Sequence, residues 1–178
     1  MTEDMFEGWH EFYLLAGSAA AVLIGLIFVV ISLMQDRSRS SVLQGSRLYM
    51  GPIVLGVSFV LVLSAAALAP HLDGRQFALI AAAIAIWGLA RGIISTVGIH
   101  NVRDEVHWTD IWFYGLIPIA LYVVLGVIAW CFWTDMPCAR PALAGFVTAS
   151  LLLAIRNEWD LITWIAPRHE GKDDSDFA

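Results

Sequence analysis

Arg91 is the residue most able to do chemistry in this sequence, because it interrupts an otherwise uncharged apolar run over residues 77–99. If that run is a helix, Arg91 lies roughly 22 Å from its start, at 1.5 Å per residue. A charge this deep in a membrane costs a few kcal/mol or more, so it normally faces a bundle interior or a wet cavity. We therefore expect Arg91 to line a pathway or bind a partner. The alternatives are a side chain that extends to the lipid headgroups, or a structural ion pair.

A second group of polar residues interrupts the last apolar run at a similar depth, directly after Ile155. Arg156 and Asp160 are four residues apart and can pair on one helix face. Glu158 reaches Arg91 if the two helices pack together. The alternative is a helix that ends at Ile155, with the polar residues among the lipid headgroups. The main interpretation is a polar layer near the inner leaflet that lines or gates a path, formed by Arg91, Arg156, Asn157, Glu158 and Asp160.

Small residues recur at four-residue spacing in two of the apolar runs. The first series is Gly17, Ala21 and Gly25, and the second is Gly88 and Gly92. Small side chains at this spacing let helix backbones approach closely. The pattern predicts tight helix packing, either inside one subunit or between subunits.

Residue types that serve catalysis or metal binding do not form a recognisable set. The five histidines lie in tails, loops or helix ends, and no two have the i, i+4 spacing of a helical zinc site. An oxidising compartment could join Cys131 and Cys138, and two free thiols are the alternative. We expect no metal, no cofactor and no enzymatic activity.

The composition indicates which solvent surrounds the elements that carry these residues. Apolar residues make up 59% of the 178 residues and charged residues only 15%, against about 45–50% and about 25% in soluble domains. A domain of this size has too much surface to hide that excess from water. The net charge of −6 argues against nucleic-acid binding, which needs a basic surface. The lipid bilayer is the predicted partner.

Five apolar runs are close to the roughly 20 residues that a membrane-crossing helix needs. The predicted fold class is therefore all-α, an integral membrane bundle of five transmembrane helices. An acidic extracytoplasmic N-terminus (1–11) precedes the transmembrane domain (12–166), and a cytoplasmic tail (167–178) follows it. The predicted helices cover residues 12–34, 49–69, 77–99, 111–133 and 141–166.

The distribution of basic residues predicts the orientation, because cytoplasmic loops carry an excess of Lys and Arg. With the N-terminus outside and the C-terminus in the cytoplasm, six basic residues lie inside and two outside. The tryptophans and other aromatic residues fall near both predicted interfaces, as expected for aromatic belts. The inner set is Arg37, Arg39, Arg47, Arg103, Arg168 and Lys172, and the outer set is Arg75 and Arg140.

The segment from Trp9 to Tyr13, followed by the small residues from Ala16 to Ala21 and the run from Gly25 to Val29, resembles small multi-spanning bacterial inner-membrane proteins. The likeness covers mainly the first helix. It implies a bacterial inner (plasma) membrane location with several passes, and it implies no activity. The translocator family also has five helices and many tryptophans, but its Trp-x-Pro-Pro pattern is absent here.

Three functions are compatible with these patterns. The first is a homo-oligomeric channel or small transporter, in which a ring of Arg91 side chains favours anions. The second is a non-catalytic accessory or assembly subunit of a larger membrane complex, for which the glycine faces are docking surfaces. The third is an intramembrane ligand-binding sensor. We expect the first, with a homo-oligomer or a larger membrane complex as the assembled form.

Overall fold

The computed structural model describes residues 5–33, 51–102 and 116–165, and it confirms the predicted all-helical fold class. Five helices and no strand occur in these three segments. Helix α1 covers His10–Leu33, α2 covers Gly51–Leu68, α3 covers Gly74–Val102, α4 covers Ile117–Trp133 and α5 covers Ala139–Ile165. Several predicted features lie outside the described segments. They are residues 34 and 49–50, the predicted start of the fourth helix at 111, residue 166, the tail, and all six inner basic residues.

Three of the helices are long and apolar enough to cross a membrane. The spans are His10–Val29 in α1, Gly74–Ile94 in α3 and Ala139–Asp160 in α5, and the shorter apolar helices Ile53–Leu68 and Ile117–Trp133 accompany them. Many of the large apolar side chains point outward, among them Leu15 with 71% of its surface exposed. A surface this apolar is expected of a membrane protein, whose outer side chains face lipid.

Local hydrogen bonds explain how several polar residues fit this bundle. Asp73 and Gln76 form a reciprocal capping box. The backbone N–H of Gln76 donates to Asp73 Oδ1 at 2.7 Å, and the backbone N–H of Asp73 donates to Gln76 Oε1 at 3.2 Å. This cap starts α3 at Gly74, three residues before the predicted start. Inside the helices, the Ser58 and Thr148 hydroxyls donate to carbonyls one turn earlier, which satisfies them without water.

The helices form two closely packed pairs, α1 with α2 and α3 with α4, and α5 packs against α1, α2 and α4. Helices α3 and α4 are antiparallel, because Gly74 lies beside Phe132 while Gly92 lies beside Ile119. Alanine is frequent in the core and allows these close approaches. The buried alanines include Ala16, Ala20, Ala67, Ala78, Ala81, Ala85 and Ala129.

An aromatic cluster closes the end of the bundle at which α1 begins. Phe6, only 2% exposed, lies in the turn before α1. Its ring centroid is 5.2 Å from that of Tyr13, 5.1 Å from Phe77 and 5.8 Å from Phe132. The segment before α1 therefore packs into the bundle and links α1, α3 and α4 at this end.

Helix α5 does not end at Ile155. It continues through the polar residues Arg156, Asn157 and Glu158 to Ile165. The polar residues of the last apolar run are thus presented on a helix, whose turns determine which of them face the bundle.

Candidate functional site

A cavity lies between α2, α3, α4 and α5. It spans about 800 Å³ when the space at its open side is counted, and the enclosed part is much smaller. On α5 its lining runs from Phe146 to Asn157, about 16 Å along the helix axis at 1.5 Å per residue. The lining therefore extends along the helix direction.

Arg91 lines this cavity, and it is the single charged residue among the described residues of the lining. Its side chain is exposed, and among the described residues no acidic group pairs with it. The structural ion pair considered for Arg91 thus has no partner in this part of the chain.

Asn157 is the residue of the predicted polar layer that shares the cavity with Arg91. Its side chain is only 5% exposed, and its Oδ1 accepts a long hydrogen bond of 3.5 Å from Arg156 Nη1. Ile53 and Pro118, which lie near the starts of α2 and α4, line the same cavity. Because neighbouring helices are antiparallel, these residues, Arg91 and Asn157 lie toward one end of the bundle, opposite the aromatic cluster.

The other members of the polar layer have different surroundings. Arg156 and Asp160 form the expected pair, with Nη2 and Oδ2 3.2 Å apart, and both side chains are about 40% exposed. Glu158 is 8% exposed, and its Oε1 has no hydrogen-bond partner among the described residues. It is not part of the cavity lining, and α3 and α5 share no extensive interface in the described segments. The structure therefore brings Arg91 and Asn157 together, and leaves Glu158 apart from them.

The two glycines of α3 determine the shape of the cavity wall. A Cβ atom at Gly88 would lie 2.3 Å from the ring of Tyr122 in α4, and one at Gly92 would lie 3.0 Å from Ile119 Cγ1. The Tyr122 ring thus rests directly on the α3 backbone. It also meets Phe59 of α2 edge to face, with centroids 6.0 Å apart.

The α1 series divides between the interior and the surface. A Cβ atom at Gly17 would lie 3.2 Å from the Ser64 Cβ of α2, so this glycine permits a close α1–α2 contact. Ala21 is exposed. Gly25 is exposed too, with nothing within 4 Å of its Cβ position in the described part of the chain. The same is true of Gly145 in α5.

Groups for metal or thiol chemistry lie elsewhere. Over residues 5–33, 51–102 and 116–165, no cluster of His, Cys, Asp and Glu is suited to a metal ion. Cys131 and Cys138 are free cysteines at the opposite end of α4 from Pro118. Cys131 is half-buried and Cys138 is exposed.

Comparisons with protein-family models, with curated proteins and with solved structures found no match. What the site does must therefore be inferred from its own residues.

Sequence reasoning identified Arg91 and Asn157, and it missed the apolar residues that enclose them. Phe59, Tyr122 and Phe146 line the cavity, but an apolar side chain that faces a cavity looks the same in sequence as one that faces lipid. The one available signal was on α5. The cavity-lining residues there follow helical spacing: Phe146, Ser150, Leu153, Ala154 and Asn157.

Proposed function

We propose that this protein is a small membrane transporter or channel that acts as a homo-oligomer and conducts anions through the cavity lined by Arg91. The observation that carries the proposal is the position of Arg91, an ionisable residue in a candidate span, in a cavity bounded by four helices. Ionisable residues inside membrane bundles are costly and commonly mark substrate or ion pathways. The cavity lies inside one subunit, which favours the transporter form of the proposal over a pore along an oligomer axis.

The sign of the charge supports an anionic substrate. Arginine side chains carry a positive charge in proteins, and none of the described residues that line the cavity is a carboxylate. A cation that entered would meet a like charge in surroundings of low dielectric constant, where repulsion is strong. An anion would gain a charge-assisted hydrogen bond from the guanidinium, and another hydrogen bond from the Asn157 amide.

The proposed setting is the bacterial inner membrane, with five spans, the N-terminus outside and the C-terminus in the cytoplasm. The excess of basic residues in the proposed inner loops supports this orientation. Arg75 and Trp133 form a cation–π contact at 5.7 Å, and such an amphipathic pair supports a membrane interface at this end of the bundle. In this arrangement Arg91 and Asn157 lie nearer the cytoplasmic side.

Oligomerisation is supported by small residues that the subunit leaves uncovered. Gly25 of α1 and Gly145 of α5 have open space at their Cβ positions within the described segments, and Ala21 is exposed beside Gly25. Small residues on a lipid-facing surface permit another helix to approach closely. The same faces would serve a non-catalytic accessory subunit of a larger membrane complex, which is the second candidate function.

Flux measurements in liposomes test the transport proposal. Wild-type protein would be reconstituted and assayed with chloride, benzenesulfonate and octanesulfonate, since sulfonates stay ionised and do not cross lipid as neutral acids. We expect transport of at least one of these anions above the rate of protein-free liposomes, with a loss of about tenfold or more in Arg91→Gln. Arg140→Gln is the matched control, because Arg140 is exposed near the start of α5, far from Asn157.

The absence of flux for all three anions, from protein of native helix content, would contradict transport. Mass measurement in mild detergent separates the two candidate functions. A closed homo-oligomer supports the transporter, whereas a monomer that co-purifies with other membrane proteins supports the accessory subunit.

A further inference from the structure

We propose that the ligand of the cavity is an organic monoanion with a single acidic head and an apolar chain, such as a medium-chain carboxylate. This assignment rests on the proposed function, in which Arg91 faces the substrate cavity. It adds the chemical class of the substrate. It follows from the arrangement of charged, polar and apolar groups along the cavity.

The polar groups suit one small anionic head. The described part of the lining contains one charged side chain, Arg91, and Asn157 lies toward the same end. A single uncompensated positive charge is neutralised by one negative charge. The guanidinium presents its N–H groups in a planar fork that matches a carboxylate.

The rest of the lining suits an apolar body. The remaining side chains are almost all aliphatic or aromatic, with the Ser150 hydroxyl as an exception. They extend from the Arg91 end along α5 toward Phe146. The apolar lining includes Ile53, Leu55, Phe59, Leu121, Tyr122, Phe146 and Leu153. The hydrocarbon chain of a ligand that lies along these residues would be removed from water. This burial would contribute about 25 cal/mol of favourable free energy per Å² of apolar surface.

These walls disfavour a small hydrated anion. An inorganic anion must give up its hydration shell to enter, and apolar walls return no hydrogen bonds for those it loses. Arg91 and Asn157 replace only part of the shell. An anion with an apolar chain gains binding free energy from both the polar end and the apolar walls of the cavity. Acetate or chloride gains binding free energy from the polar end alone.

The volume separates a free amphiphile from a membrane phospholipid, which also has an anionic head and apolar chains. The 800 Å³ includes the open side, so it is an upper limit on the enclosed space. We expect such a space to enclose one chain rather than the two chains of a phospholipid, and the nanodisc experiment with phosphatidylglycerol tests this expectation.

Equilibrium dialysis with three matched probes tests the assignment. The full-length protein would be placed in phosphatidylcholine nanodiscs at neutral pH, with empty nanodiscs as the background. Octanoate has the head and the chain, octanol has the chain alone, and acetate has the head alone. We expect saturable binding of octanoate, and at least tenfold weaker binding of both octanol and acetate.

Variants link the binding to the cavity. Loss of one charge-assisted hydrogen-bond partner should weaken octanoate binding about tenfold to a hundredfold in Arg91→Gln. Arg91→Lys should restore part of the affinity, and Arg140→Gln should leave it unchanged. Ser150→Phe should block binding by filling the cavity, without changing any charge. Circular dichroism and size-exclusion profiles would establish that each variant is folded.

Four results would overturn the assignment. They are equal binding of octanol and octanoate, equal binding of acetate and octanoate, unchanged affinity in Arg91→Gln, and loss of octanoate binding when phosphatidylglycerol is added to the nanodiscs. The last result would mean that the bilayer's own anionic lipid occupies the site. The transport proposal fails independently. Octanoate binding without flux of any anion supports the ligand class and contradicts transport. Chloride flux without octanoate binding supports transport and contradicts the ligand class.

Discussion

Replacing Gly88 by alanine gives the sharpest test of the packing that forms the cavity wall. The new Cβ atom would lie 2.3 Å from two carbons of the Tyr122 ring and 2.5 Å from a third. The same ring contacts Phe59, at 6.0 Å from centroid to centroid, so its displacement would disturb a second helix contact. Overpacking of this kind costs about 1–3 kcal/mol, while the better helix propensity of alanine returns about 0.5–1 kcal/mol. We expect a net destabilisation of about 0.5–2 kcal/mol.

Gly126→Ala in α4 is the matched control, because its Cβ atom would make only an ordinary contact of 3.9 Å with the Ala85 Cβ of α3. This variant should be unchanged or more stable by up to about 1 kcal/mol. Both would be measured by denaturation in mixed micelles, followed by circular dichroism. The cost of Gly88→Ala should also fall by about 1 kcal/mol or more in a Tyr122→Leu background, since the two side chains interact directly. Equal stabilities of Gly88→Ala and Gly126→Ala would refute the reasoning.

Three further predictions concern the aromatic cluster and the polar layer, each read from the free energy of unfolding. Phe6→Ala should cost about 3–5 kcal/mol of stability because it empties a buried aromatic site. Phe28→Ala, at a side chain that is 62% exposed, should cost under about 1 kcal/mol. Similar costs for the two variants would contradict the role of the cluster. A double-mutant cycle on Arg156→Gln and Asp160→Asn should give a coupling below about 1 kcal/mol, since the pair is partly exposed, and a coupling of several kcal/mol would be inconsistent with this geometry. Glu158→Gln should leave stability unchanged or raise it, because it removes a buried ionisable group whose Oε1 has no hydrogen-bond partner among the described residues, and marked destabilisation would argue against that environment.

The helices were predictable because lipid leaves the backbone of an apolar run little choice but to form a helix. Arg91 was recognisable for a related reason, since a charge in such a run requires an explanation. The start of α3 was also readable in principle, because Asp73 and Gln76 have capping-box spacing. The prediction took the first residue of the apolar run, Phe77, as the start of the helix and did not use the capping residues.

The cavity could not be predicted in the same way. In a soluble protein, the polar face of a helix shows how the helix is rotated, but in a membrane both faces are apolar. Tyr122 and Phe146 carry no sequence sign that they face a cavity, while Val123 next to Tyr122 is exposed. The neighbours of Glu158 depended in the same way on which helices α5 contacts.

The central claim is that a solute-accessible cavity with a cationic end lies between helices of a membrane protein. Cysteine accessibility at the cavity tests this claim most directly. Cys131 and Cys138 would first be changed to serine, and single cysteines then introduced as Ser150→Cys in the cavity lining and Leu152→Cys on the outward, 63% exposed face of α5. The reagent would be a negatively charged, membrane-impermeant thiosulfonate, applied to sealed liposomes. We predict that it labels Ser150→Cys rapidly and leaves Leu152→Cys unlabelled. Adding Arg91→Gln to Ser150→Cys should slow the labelling about tenfold. Equal labelling at both positions, or faster labelling at Leu152→Cys, would contradict the account.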